Sequence, residues 1–178
     1  REREAQLREV GELLGTPQDP VAAARRAAER LRQAGVGEEK ARSQALGQEA
    51  DDLAAATTDL TRGDAGGPVS LVAARSASAT DAKQLLDLAN RLQSKLGGEG
   101  AIVVLGGDFG NKAGLVSLAT KDVVEAGFSA GELIREVAPL IGGGGGGRDD
   151  MAQAGGRDPA KLDEALAAAR AAIERKLG

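Results

Sequence analysis

The sequence predicts an α/β (α+β) fold, a small sheet packed with helices and preceded by an N-terminal helical arm. Three observations predict it. Up to residue 60 the apolar residues recur at helical spacing. TRGDAGGP, Thr61–Pro68, is a turn-rich break. Beyond it, short apolar runs alternate with helical patterns, as they do where helices cover a sheet. Residues 1–66 are therefore expected to form a helical, coiled-coil-like subdomain. Residues 67–178 are expected to form a globular α/β subdomain with a glycine-rich loop.

Each element has its own signal. REREAQLREVGELLG puts Leu7, Val10 and Leu14 on one helical face, with Gly15 and Pro17 as a stop. Asp19 and Pro20 open a second helix as N-cap and first-turn proline, ending at Gly35. A third helix is expected from Glu38 to Leu60. In it Leu46, Leu53 and Leu60 recur every seventh residue, a short heptad seam for self-association or an ordinary helix packed on its own domain. Val69–Ala74 reads as a strand, and a helix follows from about Thr80 to Gly97 with Leu85, Leu88, Leu92 and Leu96 inward. AIVVL, Ala101–Leu105, is a continuous apolar run, expected of a strand covered on both faces. GGDFGNKAG is a hairpin-like connection into the strand GLVSLAT. Ser129 and Glu132 form a capping box ahead of LIREVAPLI. MAQAG reads as a short edge strand. Asp158 and Pro159 then open a last helix whose apolar face is Leu162, Leu166, Ala169, Ile173 and Leu177.

Composition excludes most chemistry. There is no cysteine and no histidine, which removes disulfides, thiolate nucleophiles, imidazole bases and the usual zinc ligands together. Lys, Asp, Glu and Ser remain but form no catalytic constellation, so no catalytic residue, metal or cofactor is expected in this chain. The net charge of −4 is spread evenly, so a nucleic-acid site would have to be a local patch. No apolar run approaches the roughly 20 residues that span a bilayer, and no signal-peptide pattern is present. A cytoplasmic location without a membrane partner is expected. The chain starts at Arg1 and its only methionine is Met151, which reads as a piece of a longer protein. The Ala, Gly and Arg usage suits a GC-rich genome.

The sharpest feature is GGGGGGRDDMAQAGG, Gly142–Gly156. Six glycines lose more backbone freedom on folding than any other six residues. One reading is a flexible linker. The other is a backbone that approaches a ligand closely, with N–H groups converging on an anion. The run is short, follows a capped helix, and leaves only one strand and one helix beyond it, which favours the second reading. It lacks the closing Lys-Ser or Lys-Thr of a P-loop and the spacing of the dinucleotide fingerprint.

The segment SAGELIREVAPLIGGGGGGRDDMAQAGGRDPAKLDEAL closely resembles the C-terminal end of alanyl-tRNA synthetases: a capped helix, polyglycine, a basic residue, an acidic one, then MAQAGG. VSLATKDVVEAGFSAGELI and IVVLGG fit the same pattern, so the resemblance covers roughly residues 67–178. The helical arm sits where that family has its helical linker. The resemblance implies the DHH-associated domain that follows the aminoacylation and editing domains, and that is also found in some single-strand exonucleases and small phosphodiesterases. It implies contact with tRNA, alanine tRNA first, away from the acceptor end, and self-association into a homo-oligomer. The parent would be an alanine–tRNA ligase, with ATP and zinc used only in domains outside this chain, which is itself no enzyme.

With Phe109 and Phe128 as the only aromatics, a stacking platform for several bases is not expected, and recognition should be by shape and backbone. The candidate tRNA-binding residues are Gly142, Gly143, Gly144, Gly145, Gly146 and Gly147, with Arg148, Lys112, Lys121, Arg157 and Lys161 as phosphate partners and Gln153 for a sugar or base. Gly155 and Gly156 are expected to serve the turn into the last helix. Two alternatives stand beside this reading: a purely structural oligomerisation module, and the nucleic-acid-holding domain of a DHH-family nuclease. The absence of histidine counts against the second.

Overall fold

The computed structural model describes residues 6, 9, 19–61, 67–97 and 100–177. The chain divides into two compact units, Arg1–Gln44 and Ala45–Gly178. The helix expected over residues 1–14 lies outside the described residues.

Helix α1 runs Pro20–Ala55. Its start is the expected one, with the Asp19 carboxylate accepting from the Ala22 N–H at 2.9 Å. The expected stop at Gly35 is not there. Gly35 and Gly37 lie inside the helix, because a glycine in a helix costs only about 1 kcal/mol relative to alanine and nothing local ends the hydrogen-bond ladder.

From Ala45 onward the helix belongs to the second unit, and its role there corrects the heptad reading. Leu46 and Ala50 are buried in that unit's own core, with Leu53 packed against it. Leu60 is not helical at all; it lies in strand β1, Thr58–Thr61, and packs on the opposite core. The seven-residue spacing is thus split between a helix and a strand, so no single helical face carries the seam.

The second unit is built on one six-stranded sheet. After β1 come β2 (Pro68–Ser76), α2 (Ala82–Lys95), β3 (Ala101–Asp108), β4 (Ala113–Ala119), α3 (Lys121–Glu125) and α4 (Ala130–Val137). A 3₁₀ turn at Ala138–Ile141 leads to β5 (Gly144–Gly147), β6 (Met151–Gly156), a second 3₁₀ turn at Pro159–Lys161 and α5 (Leu162–Leu177). The strand order is β1-β2-β3-β4-β6-β5. Only β2 and β3, joined through α2, run parallel.

The alternation of strand side chains gives two cores. Val69, Leu71, Ile102, Val104 and Leu115 face α4 and α5. Val72, Val103, Leu105, Val116 and Leu118 face α2 and the end of α1. This is why AIVVL is apolar without interruption: each side of β3 is covered by helices.

The start signals work as read at Asp19, while Asp158 and Pro159 open a 3₁₀ turn that leads into α5 and the capping box is only half formed. Ser129 Oγ accepts from the Glu132 N–H at 3.2 Å, but the Glu132 carboxylate binds Lys176 of α5 at 2.7 Å. That ion pair holds the Glu132 carboxyl below its ordinary value. Asp81 caps α2, accepting from the Gln84 N–H at 2.8 Å. Pro139 tightens the end of α4 into the 3₁₀ turn, which Gly142 closes in the left-handed region at φ 65°. Strand β1 and helix α3 carried no sequence signal strong enough to be read. Among the described residues no helix is long and apolar enough to cross a membrane.

Candidate nucleic-acid interface

The glycine run is a strand rather than a loop. Gly144–Gly147 pairs antiparallel with Met151–Gly156 and forms the outer edge of the sheet. MAQAG is therefore the second strand in from the edge. Along a strand successive N–H groups point alternately, so six amides cannot converge on one anion. What β5 offers instead is the unpaired outer row of an edge strand.

Why it must be glycine is a matter of position. A Cβ on Gly143 would stand 1.8 Å from the Gly155 carbonyl oxygen, and one on Gly145 would stand 2.3 Å from that of Gln153. A Cβ on Gly147 would stand 2.3 Å from the Met151 carbonyl oxygen. Each is an overlap with backbone that cannot give way. A Cβ on Gly144 would meet nothing, and one on Gly146 only the Arg135 side chain at 3.7 Å. The strand is turned so that its odd positions press on β6 and its even positions face away. Helix α4 closes in from the side, since a Cβ on Gly131 would lie 2.7 Å from the Gly147 carbonyl oxygen.

The sequence-predicted residues fall into separate places along this hairpin. At the Met151 end, Arg148 forms a two-pronged ion pair with Asp150 at 2.9 and 3.0 Å. Nearby Lys121 pairs with Glu125 at 3.3 Å, and it borders a hollow shared with Gln93, Thr120 and Asp150. Lys161 pairs with Glu164, whose carboxylate holds the ammonium above its ordinary value. Three of the five candidate cations are thus already matched by an acid.

The other two are not, and both line one groove. Lys112 and Arg157 make no ion pair among the described residues. They flank a groove of about 500 Å³ at the Gly156 end, with Phe109, Gly114, Gly143 and Gly155 among its other lining residues. Lys112 comes from the β3–β4 turn, where its carbonyl accepts from the Phe109 N–H at 2.8 Å. Arg157 is fixed as β6 leaves the sheet, its N–H donating to the Ile141 carbonyl at 3.0 Å. Gln153 lies midway, half-buried and opposite Gly146 on β5.

Sequence reasoning missed Phe109, Gly114, Gly155 and Gly156 as lining residues of this groove. Gly155 is not part of a turn but a strand residue whose added Cβ would meet nothing within 4 Å. Gly156, its neighbour, is pressed to the core side, where a Cβ would stand 2.2 Å from the Ile141 carbonyl oxygen. Phe109 folds its ring back over Gly107 and Gly114, within 2.7 Å of where a Cβ on either would be. The glycine–phenylalanine mixture of GGDFGNKAG was the available signal, but its meaning depends on strand register.

Comparison with known proteins identifies the family and the fold. The DHHA1 domain family matches residues 68–175. An alanine–tRNA ligase of Acetivibrio thermocellus is 40% identical over 177 residues, 99% of this chain and 19% of the relative. One of Natranaerobius thermophilus is 42% identical over 139 residues, 78% of this chain and 15% of the relative. The chain therefore spans less than a fifth of the length of these relatives. The crystal structure of the C-Ala domain from Aquifex aeolicus alanyl-tRNA synthetase superposes with a TM-score of 0.51 at 28% identity, over 67% of this chain and 97% of that one. With more than half its length matched and its fold shared, the chain belongs to the DHHA1 domain family, in the form that alanyl-tRNA synthetases carry as their C-Ala domain.

Proposed function

We propose that the chain is the tRNA-binding and self-association module of a cytoplasmic alanyl-tRNA synthetase, gripping the tRNA body while other domains perform aminoacylation and editing. One observation carries the binding part: of five candidate cations, the two without an acidic partner among the described residues meet at one groove floored by bare backbone. A phosphate can approach such a floor closely, and a lysine and an arginine at its rim can neutralise it. Phosphate contacts position without reading sequence, so alanine tRNA and a non-cognate tRNA should bind this chain comparably. The ligase relatives favour this reading over a DHH-family nuclease.

Titration of both tRNAs across salt tests it. Binding should weaken as salt rises, and Lys112→Ala and Arg157→Ala should each flatten the log–log salt slope by about 1. Arg148→Ala should change it less, because Asp150 already offsets that charge. No binding to either tRNA at low salt would overturn the proposal and leave a structural oligomerisation module. Self-association is read from the mass of the chain against its concentration. Leu46 and Leu53 are occupied within their own unit, so replacing them should unfold that unit rather than separate subunits.

A further inference from the structure

Three glycines stand directly opposite one another across three strands: Gly107 on β3 faces Gly114 on β4, which faces Gly155 on β6. Residues so paired share a face of the sheet. On this face the Phe109 ring and Leu85 fill the space over Gly107 and Gly114. The filling stops there. Gly155 has no heavy atom within 4 Å of where its Cβ would be, and Gly144, opposite it on β5, has none either.

Beside the Phe109 ring the groove floor is thus uncovered peptide. It comprises Gly155 on β6 and Gly144 opposite it on the edge strand β5, one strand spacing or roughly 5 Å apart. A planar ring could lie on it at van der Waals distance, about 3.5 Å, with its side against the Phe109 ring. The groove also carries two cations without acidic partners among the described residues, Lys112 on one bank and Arg157 two residues beyond Gly155. A flat ring joined to an anion is the chemistry of a nucleotide. Gln153, two residues along β6 on the same face as Gly155, holds an amide with both donors and an acceptor for a base edge.

We infer that this groove seats one unstacked RNA base on the Gly155 peptide beside Phe109, with its flanking phosphates on Lys112 and Arg157. The inference rests on the RNA-binding reading above and adds to it a contact with a base, where phosphate contact alone was proposed. It also revises the sequence expectation: one phenylalanine makes no platform for several bases, but with a bare peptide floor it makes a single seat.

The test compares two fluorescent probes, a 12-nucleotide single-stranded RNA and the same sugar–phosphate strand without bases. Both carry the phosphates; only one carries rings. The intact strand should bind the full chain at least about fivefold more tightly, because only it adds a ring's van der Waals contacts with the peptide floor and the Phe109 edge to the phosphate contacts. Gly155→Val should erase that difference while leaving the salt slope of the intact strand unchanged. Gly155→Ala should reduce it in part, and because its Cβ enters open space its thermal melting should match wild type. Equal binding of the two strands by the wild type, or an equal loss of both in a folded Gly155 variant, would overturn the base seat and leave phosphate binding intact. Failure of both strands and of tRNA to bind at low salt would overturn the RNA-binding reading and the seat with it.

Discussion

Gly144 and Gly145 are neighbours of identical chemistry with opposite obligations. A methyl on Gly145 would fall 2.3–2.5 Å from Gln153 and Ala154 atoms, two of them backbone; a methyl on Gly144 would enter open space. Gly145→Ala should therefore cost about 1–3 kcal/mol or more, as overpacking does, and lower the melting temperature by several degrees. Gly144→Ala should be neutral or slightly stabilising, since it reduces the freedom of the unfolded chain. Equal melting temperatures for the two variants would show that β5 does not press on β6 as described. The same pair separates packing from binding. Any loss of RNA affinity in Gly144→Ala belongs to the exposed edge, because the fold does not require glycine there.

At the scale of elements, the end of α1 is held to the sheet by one carboxylate as much as by its leucines. Glu49 accepts from the Ser76 hydroxyl at 3.1 Å, the Ala77 N–H at 2.7 Å and the Ser78 N–H at 3.0 Å. These are the groups where β2 stops and its ladder can no longer pair them. Lys95 of α2 reaches Asp51, two residues further along α1. Glu49→Ala leaves two backbone donors and a hydroxyl seeking water. It should cost about 1–3 kcal/mol, the range for stranding such donors, with hydrogen exchange quickening at Ala77 and Ser78. Unchanged exchange there would mean that Leu46 and Ala50 dock the helix without help. The element also shows how far periodicity reaches. The pattern of α2, with Leu85, Leu88 and Leu92 inward, was fully legible because a single face meets a single core. The spacing of Leu46, Leu53 and Leu60 was equally regular and misleading, because a heptad count cannot register that the chain leaves the helix at Ala55 and turns into β1.

At the scale of the whole second unit, one carboxylate ties distant segments together and gives stability a pH dependence. Burial pushes the Asp122 carboxyl up. Hydrogen bonds from the Thr120 hydroxyl, from the Gly100 N–H at 2.8 Å and from the first turn of α3 outweigh that and hold it below its ordinary value. A carboxyl lowered in the folded state binds its proton more readily when unfolded. Its contribution is therefore present above the ordinary aspartate value near 4 and lost as pH falls through the lowered one. Asp122→Asn should be less stable than wild type at pH 7, and the gap should close below about pH 4. Denaturant midpoints across that range check it; a gap independent of pH would assign the effect to shape rather than charge.

The sequence by itself determined the elements whose signal is local: the capped starts at Asp19, Ser129 and Asp158, the inward leucines of α2 and α5, and the doubly covered AIVVL. It also determined, by lacking histidine and cysteine, which chemistries the chain forgoes. Tertiary structure alone decided what the glycines do. Six in a row read as a loop because backbone freedom is a property of the residue, whereas the need for glycine at Gly143, Gly145 and Gly147 comes from a second strand pressed against the first. The groove was hidden for the same reason. Gly107, Gly114 and Gly155 are 7 and 41 positions apart in the sequence and become neighbours only through antiparallel register. Which of five cations pair with an acid among the described residues depends on what folding brings within reach.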